Sequence, residues 1–144
     1  LFSAHDPKVN IWLNEQLNRT EYMPFAPITP LETASEYFKD LSFSERAAMF
    51  MTVTCDCTKK MKENCPAAVH VDGTARPQLV SFESNPLIHK ILNSYGEKTG
   101  HPVLINTSFN MHEEPIVESP SDALRAFNLG NLDILVLGSF IIEK

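Results

Sequence analysis

The stretch that decides the fold is His101–Val117, which reads HPVLINTSFNMHEEPIV. Its first part, Pro102–Ile105, is a continuous apolar run that includes β-branched residues, and such a run predicts a short strand buried on both faces. Small polar residues follow this run directly: Asn106, Thr107, Ser108 and Asn110. At the carboxyl edge of an open α/β sheet, short donors and acceptors of this kind commonly bind ligands. The alternative is that they form a turn and cap the next segment.

Helix and strand signals on either side of this stretch predict a mixed α/β layer fold in a single domain. A helix is expected from Asn85-Pro86 to Gly100, leading directly into the strand, and another helix is capped by Ser119. Residues 133–142 are typical of one strand, or of two strands broken at Gly138.

Proline and capping signals govern the expectations for the upstream part of the chain. Asp6 is expected to cap a helix that runs to about Leu17. Because proline cannot donate to a sheet ladder, the segment Pro24–Pro27 predicts an edge strand or an ordered extended loop. Thr29–Glu32 has the pattern of a capping box with proline at the first helical position, which predicts a helix running to about Phe38.

A second informative stretch contains two strand-like runs around Asp72-Gly73, a pair typical of tight hairpin turns. A plain hairpin does not require His70, Thr74 and Arg76 near its tip. The guanidinium group of Arg76 offers a planar fork to phosphate or carboxylate oxygens. A surface salt bridge of Arg76 is the alternative that the sequence leaves open.

Composition and charge argue against several classes of function. The chain has 144 residues and a net charge of −6, and without a basic stripe its surface does not suit nucleic-acid backbone. A small anionic ligand would therefore need a local basic pocket. Neither an apolar run of membrane-spanning length nor a signal-peptide pattern occurs in the sequence, so we expect a cytoplasmic protein that does not bind membranes.

The metal-ligating residue types lack the spacing of a standard metal site. The odd number of cysteines (Cys55, Cys57 and Cys65, with His70 nearby) favours free thiols in a reducing compartment over a metal centre. Metal-dependent hydrolysis is a further alternative, but its candidate ligands show no recommending pattern: His70, His101, His112 and Glu113.

Five strings in this order resemble the C-terminal domain of the O-carbamoyltransferases related to nodulation and antibiotic-tailoring enzymes: RTEYMPFAP, CPAAVHVDGTARPQ, TGHPVLINTSFN, EEPIV and SPSDALRAF. The resemblance extends from about Asp6 to Phe140. It implies a YrdC-like fold, in which helices pack on a twisted mixed sheet. It also implies a larger N-terminal domain in the same polypeptide, so we expect residues 1–144 to be one domain of a longer chain.

The resemblance implies a reaction in two stages. Carbamoyl phosphate and ATP, with Mg²⁺ on the ATP phosphates, would yield carbamoyl adenylate with release of phosphate and pyrophosphate. The carbamoyl group would then pass to an acceptor hydroxyl in the N-terminal domain, where iron is expected to be held by histidines. The alternative is a nucleotide-binding or dimer-forming scaffold module with the same fold. The sequence leaves a homodimer open and does not identify the acceptor.

The resemblance assigns roles to the polar cluster after the strand. Ser108 and Asn110 match the Ser-x-Asn signature of YrdC-like domains, which contacts the nucleotide phosphates. Asn106 and Thr107 would shape the same edge. Together with Arg76, Ser108 is the residue that we expect to serve catalysis.

Basic groups complete the site that the resemblance implies. Arg76, with His70 and Thr74 beside it, would bind the phosphate or carbamoyl oxygens, and Arg19 would be the remnant of a Lys-x-Arg phosphate clamp. Such groups suit the chemistry because phosphoryl and adenylyl transfer depend mainly on positioning and charge neutralisation.

Three positions depart from the family pattern. Leu17 replaces the usual lysine of the clamp, and Met23 replaces an arginine that often precedes PFAP. Glu113 replaces the glycine of a Gly-Glu-Pro loop, which adds a negative charge. Each change is expected to weaken anion binding, by about 1 kcal/mol or more per desolvated contact.

Overall fold

The computed structural model describes residues 1–16 and 24–144. These form two compact units: unit 1 contains residues 1–11 and 24–107, and unit 2 contains residues 12–16 and 108–144. The strands are β1 (Phe2–Ser3), β2 (Ala26–Pro30), β3 (Cys55–Asp56), β4 (Thr74–Ala75), β5 (Gln78–Val80), β6 (Leu104–Asn106), β7 (Ile134–Leu137) and β8 (Phe140–Glu143). The α-helices are α1 (Lys8–Gln16), α2 (Ala34–Tyr37), α3 (Glu45–Ala48), α4 (Lys59–Asn64), α5 (Pro86–Thr99) and α6 (Pro120–Leu129).

Unit 1 is built on a four-stranded mixed sheet with the strand order β1-β6-β2-β5. β6 is antiparallel to both β1 and β2, whereas β2 and β5 are parallel. The strand expected after Gly100 is therefore confirmed, although it begins at Leu104. Val103 and Ile105 are fully buried, as expected for a strand with neighbours on both sides.

The expectations for the proline-rich segment were wrong. β2 lies inside the sheet, and Thr29 belongs to this strand and does not cap a helix. Pro27 lies opposite Ile105 of β6, and Pro30 lies opposite Val80 of β5. Each proline thus lies at a position of β2 that pairs with only one neighbouring strand. On the unpaired side, the missing N–H of the proline does not remove a hydrogen bond from the sheet. The following helix begins as a 3₁₀ turn and ends at Tyr37, close to the expected position.

The turn at Asp72-Gly73 forms, but the predicted hairpin does not. The Gly73 N–H donates to the His70 carbonyl at 2.9 Å, and the His70 N–H donates to the Thr74 carbonyl at 2.8 Å. Upstream of this turn, Pro66–Ala68 forms a 3₁₀ helix with proline at its start. Downstream, β4 pairs with β3 and β5 pairs with β2.

The hydrophobic core of unit 1 lies between the sheet and α5. Ile28, Val80 and Leu104 of the strands pack with Leu92 of α5, which is fully buried. The predicted ends of α5 are confirmed. The Asn85 side chain accepts a hydrogen bond from the Ile88 N–H at 3.1 Å, and Gly100 closes the helix at a φ of +83°, a conformation that favours glycine.

Unit 2 consists largely of α6 packed against the β7–β8 hairpin. The capping box predicted at Ser119 is present: its hydroxyl accepts from the Asp122 N–H at 3.2 Å, and its own N–H donates to the Asp122 carboxylate. Gly138, at a φ of +60°, lies between the two strands, so the alternative of a broken strand is the correct one. The buried residues of this core are Ala123, Phe127 and Leu135.

A cluster of aromatic and histidine side chains lies around the start of the segment that leads into β6. The His101 ring lies 5.5 Å from the His5 ring, and the Tyr37 hydroxyl is 3.4 Å from His101 Nδ1. Burial raises the pKa of Tyr37, so its hydroxyl stays protonated at neutral pH. Burial, followed by the nearby charges of His5 and Lys60, lowers the pKa of His101. No helix in the described ranges is long and apolar enough to cross a lipid bilayer.

Leu92→Ala is expected to lower the free energy of unfolding by about 2–5 kcal/mol, because it leaves a cavity between α5 and the sheet. Leu87→Ala on the same helix is the matched control: its side chain is 68% exposed, and the expected change is within about 0.5 kcal/mol. Urea denaturation measures both values, and equal losses would contradict the proposed core.

Stability is expected to fall as the pH drops below about 6.5, the ordinary pKa of histidine. Because the folded-state pKa of His101 is lowered, the unfolded chain binds the proton more readily, and the folded state loses stability as the pH falls toward the folded-state pKa. His101→Gln should flatten this slope between about pH 7 and pH 5. Urea midpoints measured across that range test the prediction, and an unchanged slope would refute it.

Candidate functional site

The register of the unit 1 sheet brings three of the expected site residues to one edge. Because β6 is antiparallel to β2 and β2 is parallel to β5, β6 ends at the edge where β2 and β5 begin. Asn106 is the last residue of β6 and Thr107 follows it, whereas Arg76 precedes β5 by two residues. The polar residues were expected at an edge formed by the carboxyl ends of strands. This edge contains the carboxyl end of β6 but the amino ends of β2 and β5.

The Asn106 side chain is committed to a contact across the sheet. Its Nδ2 atom donates to Oε1 of Gln78 at 2.6 Å, which links the end of β6 to the start of β5 across β2. Sequence reasoning missed Gln78, although it lies two residues after Arg76 in the string that carries the family resemblance. No local pattern signals this contact, because it depends on the register of three strands.

The turn at residues 70–74 is closed by hydrogen bonds among its own side chains. Asp72 Oδ1 accepts from both the N–H and the hydroxyl of Thr74, at 2.9 and 2.8 Å. Since that hydroxyl has one proton, its 3.0 Å contact with His70 Nδ1 requires the imidazole to donate from Nδ1. These bonds from Thr74 hold the pKa of Asp72 below its ordinary value. The Thr74 hydroxyl proton is therefore committed to shaping the turn.

Arg76 differs from its neighbours because no described residue holds its guanidinium group in an ion pair. The side chain is exposed, and it forms no ion pair with any carboxylate in the described ranges. The surface salt bridge that the sequence left open is therefore not seen in this part of the chain. An unpaired guanidinium at a sheet edge can bind phosphate or carboxylate oxygens through two parallel hydrogen bonds.

The positively charged side chain of Lys62 lies against the turn at residues 70–74. A Cβ atom built on Gly73 would lie only 2.7 Å from Lys62 Nζ, so the lysine of α4 rests directly over this glycine. Lys62 is exposed, and its ammonium group adds positive charge next to the turn that precedes Arg76.

In unit 2, Ser108 and Asn110 lie in a loop with internal closure. Ser108 is exposed, whereas Asn110 Nδ2 donates to the carbonyls of Met111 and Glu114, at 3.0 and 2.8 Å. The Val117 N–H donates to the Phe109 carbonyl at 3.0 Å and closes the loop. The amide protons of Asn110 thus hold the loop, and the Ser108 hydroxyl is the donor that the loop presents to solvent.

The two acidic residues of the EEPIV string have different surroundings. Arg125 Nη1 donates to Glu114 Oε1 at 2.9 Å, and Nη2 donates to Oε2. This pairing lowers the pKa of Glu114 and raises that of Arg125. Glu113 is exposed and adopts a φ of +63°, in the left-handed region that favours glycine. The glycine that the resemblance implies at this position would adopt this conformation without strain.

The cysteines and histidines do not assemble a metal centre in the part of the chain that the structure describes. Residues 1–16 and 24–144 contain no group of three His, Cys, Asp or Glu side chains placed to hold a metal ion. All three cysteines are buried free thiols. Burial raises the pKa of Cys57 to about 11 and that of Cys65 to about 12, so both stay protonated and unreactive at neutral pH. The candidate clamp residue Arg19, together with Leu17 and Met23, lies outside the described residues.

Comparison with solved structures defines the fold class. The chain superposes on full-length HypF, crystallised in a phosphate- and nucleotide-bound form, with a TM-score of 0.59 and 20% sequence identity. The match covers 88% of this chain and 16% of HypF. At this level of identity the likeness shows the fold alone, and it confirms the mixed α/β, YrdC-like class that the resemblance implied.

Comparison with sequences identifies the family. Residues 1–144 match the family model described as the carbamoyltransferase C-terminus. The nodulation protein NolO of Bradyrhizobium diazoefficiens is 42% identical over 88% of the chain, and a 3'-hydroxymethylcephem-O-carbamoyltransferase of Amycolatopsis lactamdurans is 29% identical over 88%. The chain belongs to the carbamoyltransferase C-terminal family. It spans 23% of the length of each of these two relatives.

The backbone at Glu113 makes a stability prediction. Glu113→Gly relieves a left-handed conformation that costs a non-glycine residue about 1–2 kcal/mol, offset by about 0.5–1 kcal/mol of glycine entropy. Glu113→Ala removes the same charge and keeps the strain. The glycine variant should therefore have the higher midpoint in urea denaturation, and the opposite order would contradict the conformation of this loop.

Proposed function

We propose that this chain is the part of a carbamoyltransferase that activates carbamoyl phosphate with ATP and forms carbamoyl adenylate. Release of both phosphate and pyrophosphate requires one water. The water releases phosphate from carbamoyl phosphate, and the carbamate oxygen then attacks the α-phosphorus of ATP and displaces pyrophosphate. The carbamoyl group would pass to an acceptor hydroxyl bound by a preceding part of the polypeptide. Family membership and a relative named as an O-carbamoyltransferase support this reaction class.

The observation that carries the proposal is the exposed guanidinium of Arg76, which pairs with no described carboxylate, at the edge where β6 ends at Asn106 and Thr107 follows. Phosphoryl and adenylyl transfer need positive charge and positioned donors more than covalent catalysis. In a chain with a net charge of −6, an anionic substrate needs such a local basic site. The ammonium group of Lys62 beside Gly73 adds to the positive charge near the same turn.

Mg²⁺ fits this proposal as part of the ATP complex. The ion usually keeps several waters and binds through the substrate phosphates with one or two carboxylates, so a dedicated cage of protein ligands is not needed. The residues of this chain would then act on the phosphate and carbamoyl oxygens. Arg76 is the contact proposed in unit 1. For unit 2, the family resemblance implies that the Ser108 hydroxyl contacts the nucleotide phosphates. The iron that the resemblance implies would belong to the preceding part of the polypeptide.

Isothermal titration calorimetry with carbamoyl phosphate and with Mg·ATP tests the proposal. Arg76→Ala should weaken the binding of at least one ligand by tenfold or more, because a charge-assisted bidentate contact contributes about 1.5–3 kcal/mol. Arg46→Ala, which removes an exposed arginine of α3, is the matched control. Unchanged affinity for both ligands in Arg76→Ala would reject the site.

One observation favours the scaffold alternative. The outer face of the β7–β8 hairpin presents Ile134, Val136 and Ile141, which are 57%, 66% and 68% exposed, and aliphatic residues on both faces of a strand are typical of strands buried on both sides. A chain that self-associates through this face and binds neither ligand would favour an assembly role. Sedimentation velocity on the wild type and on Val136→Lys, run beside the calorimetry, distinguishes the two functions.

A further inference from the structure

We propose that Arg125 is a positioning residue for the loop 108–114, which it holds in shape through Glu114. The inference rests on the proposed function, in which Ser108 of this loop contacts the nucleotide phosphates. Arg125 lies on α6, seventeen residues after Ser108. It would act without touching the substrate.

The contacts form a continuous chain from α6 to the loop. Both terminal nitrogens of Arg125 donate to the Glu114 carboxylate, one of them at 2.9 Å. The backbone of Glu114 in turn belongs to the loop: its N–H donates to the Met111 carbonyl at 3.1 Å, and its carbonyl accepts from Asn110 Nδ2 at 2.8 Å. Asn110 is two residues from Ser108. The conformation of the segment from Ser108 to Asn110 is therefore linked, through Glu114, to the guanidinium group of Arg125 on α6.

Helix α6, which carries Arg125, is held in place by its N-terminal cap and by packing in the core of unit 2. The capping box of Ser119 and Asp122 sets its start, and Phe127 packs in the core of unit 2. Phe109 and Val117, on either side of the acidic residues, pack against the same core. The loop is thus anchored at both ends, and the Arg125–Glu114 pair fixes the part between the anchors.

The pair also controls charge next to the proposed phosphate site. Glu114 is ionised, and the guanidinium of Arg125 holds its pKa below the ordinary value. Without Arg125, an unpaired carboxylate would remain in the loop that presents Ser108, and it would repel an anionic nucleotide. Because exposed ion pairs contribute little to stability, the loss should appear in ligand binding and not in folding.

Four proteins test the inference by titration with Mg·ATP: the wild type, Arg125→Ala, Glu114→Gln and the double variant. Arg125→Ala should weaken binding about tenfold, through loop disorder and the unpaired carboxylate. The double variant should recover part of that loss because the charge is gone, a recovery that a general structural defect would not give. Arg46→Ala on α3 serves as the control for loss of one positive charge.

Hydrogen exchange of the Val117 amide gives an independent readout, because this N–H closes the loop onto Phe109. Its protection should fall in Arg125→Ala while the thermal midpoint stays close to that of the wild type. Wild-type affinity and unchanged protection in Arg125→Ala would overturn the inference and leave the proposed function intact. Failure of the wild type itself to bind Mg·ATP would overturn both.

Discussion

Pairing of β2 on both of its sides is the constraint on which the rest of unit 1 depends. Ile28 lies opposite Gln78 of β5 on one side and Leu104 of β6 on the other, and all five residues of β2 are buried. Because β2 joins an antiparallel neighbour to a parallel one, the sheet has a mixed edge where β6 ends and β5 begins. Polar residues that are distant in the sequence, such as Arg76 and Asn106, meet at that edge for this reason.

Some side chains at this edge form hydrogen bonds with other protein groups, whereas others remain available to bind an anion. Asn106 is bound to Gln78, and the Thr74 hydroxyl proton is bound to Asp72. In unit 2, Asn110 similarly holds its own loop. Among the described residues of unit 1, the exposed Arg76 guanidinium remains available at this edge. In unit 2, the exposed Ser108 hydroxyl faces solvent from its own loop. Binding an anion with few free donors is feasible because the surrounding polar groups are already satisfied and keep the edge rigid.

Sequence reasoning succeeded where the signal is local. The Asn85 and Ser119 caps, the Gly100 helix end and the break at Gly138 each depend on a few neighbouring residues, and the structure confirms them. The interior position of β2 could not be predicted in this way. Whether a proline is tolerated in a strand depends on which neighbours pair with it, and that is set by tertiary structure.

The candidate site shows the same division. The sequence showed which polar residues follow β6, but not which partners their side chains bind. The contact between Asn106 and Gln78 depends on the register of three strands. The Arg125–Glu114 ion pair joins a loop to the following helix. The hairpin interpretation failed because Pro66 begins a 3₁₀ helix where a first strand was expected. Family membership came from five strings in order, which carry more information than any single periodicity.

An anion is expected to bind at the edge of the sheet where β6 ends and not at the edge where β6 begins. Amide chemical-shift mapping by NMR, with carbamoyl phosphate and then Mg·ATP added to the labelled chain, tests this expectation most directly. We expect the largest shifts at Arg76 and at Asn106, Thr107 and Ser108. Shifts confined to the opposite end of the same strand, around His101, or an absence of shifts with either ligand, would contradict it.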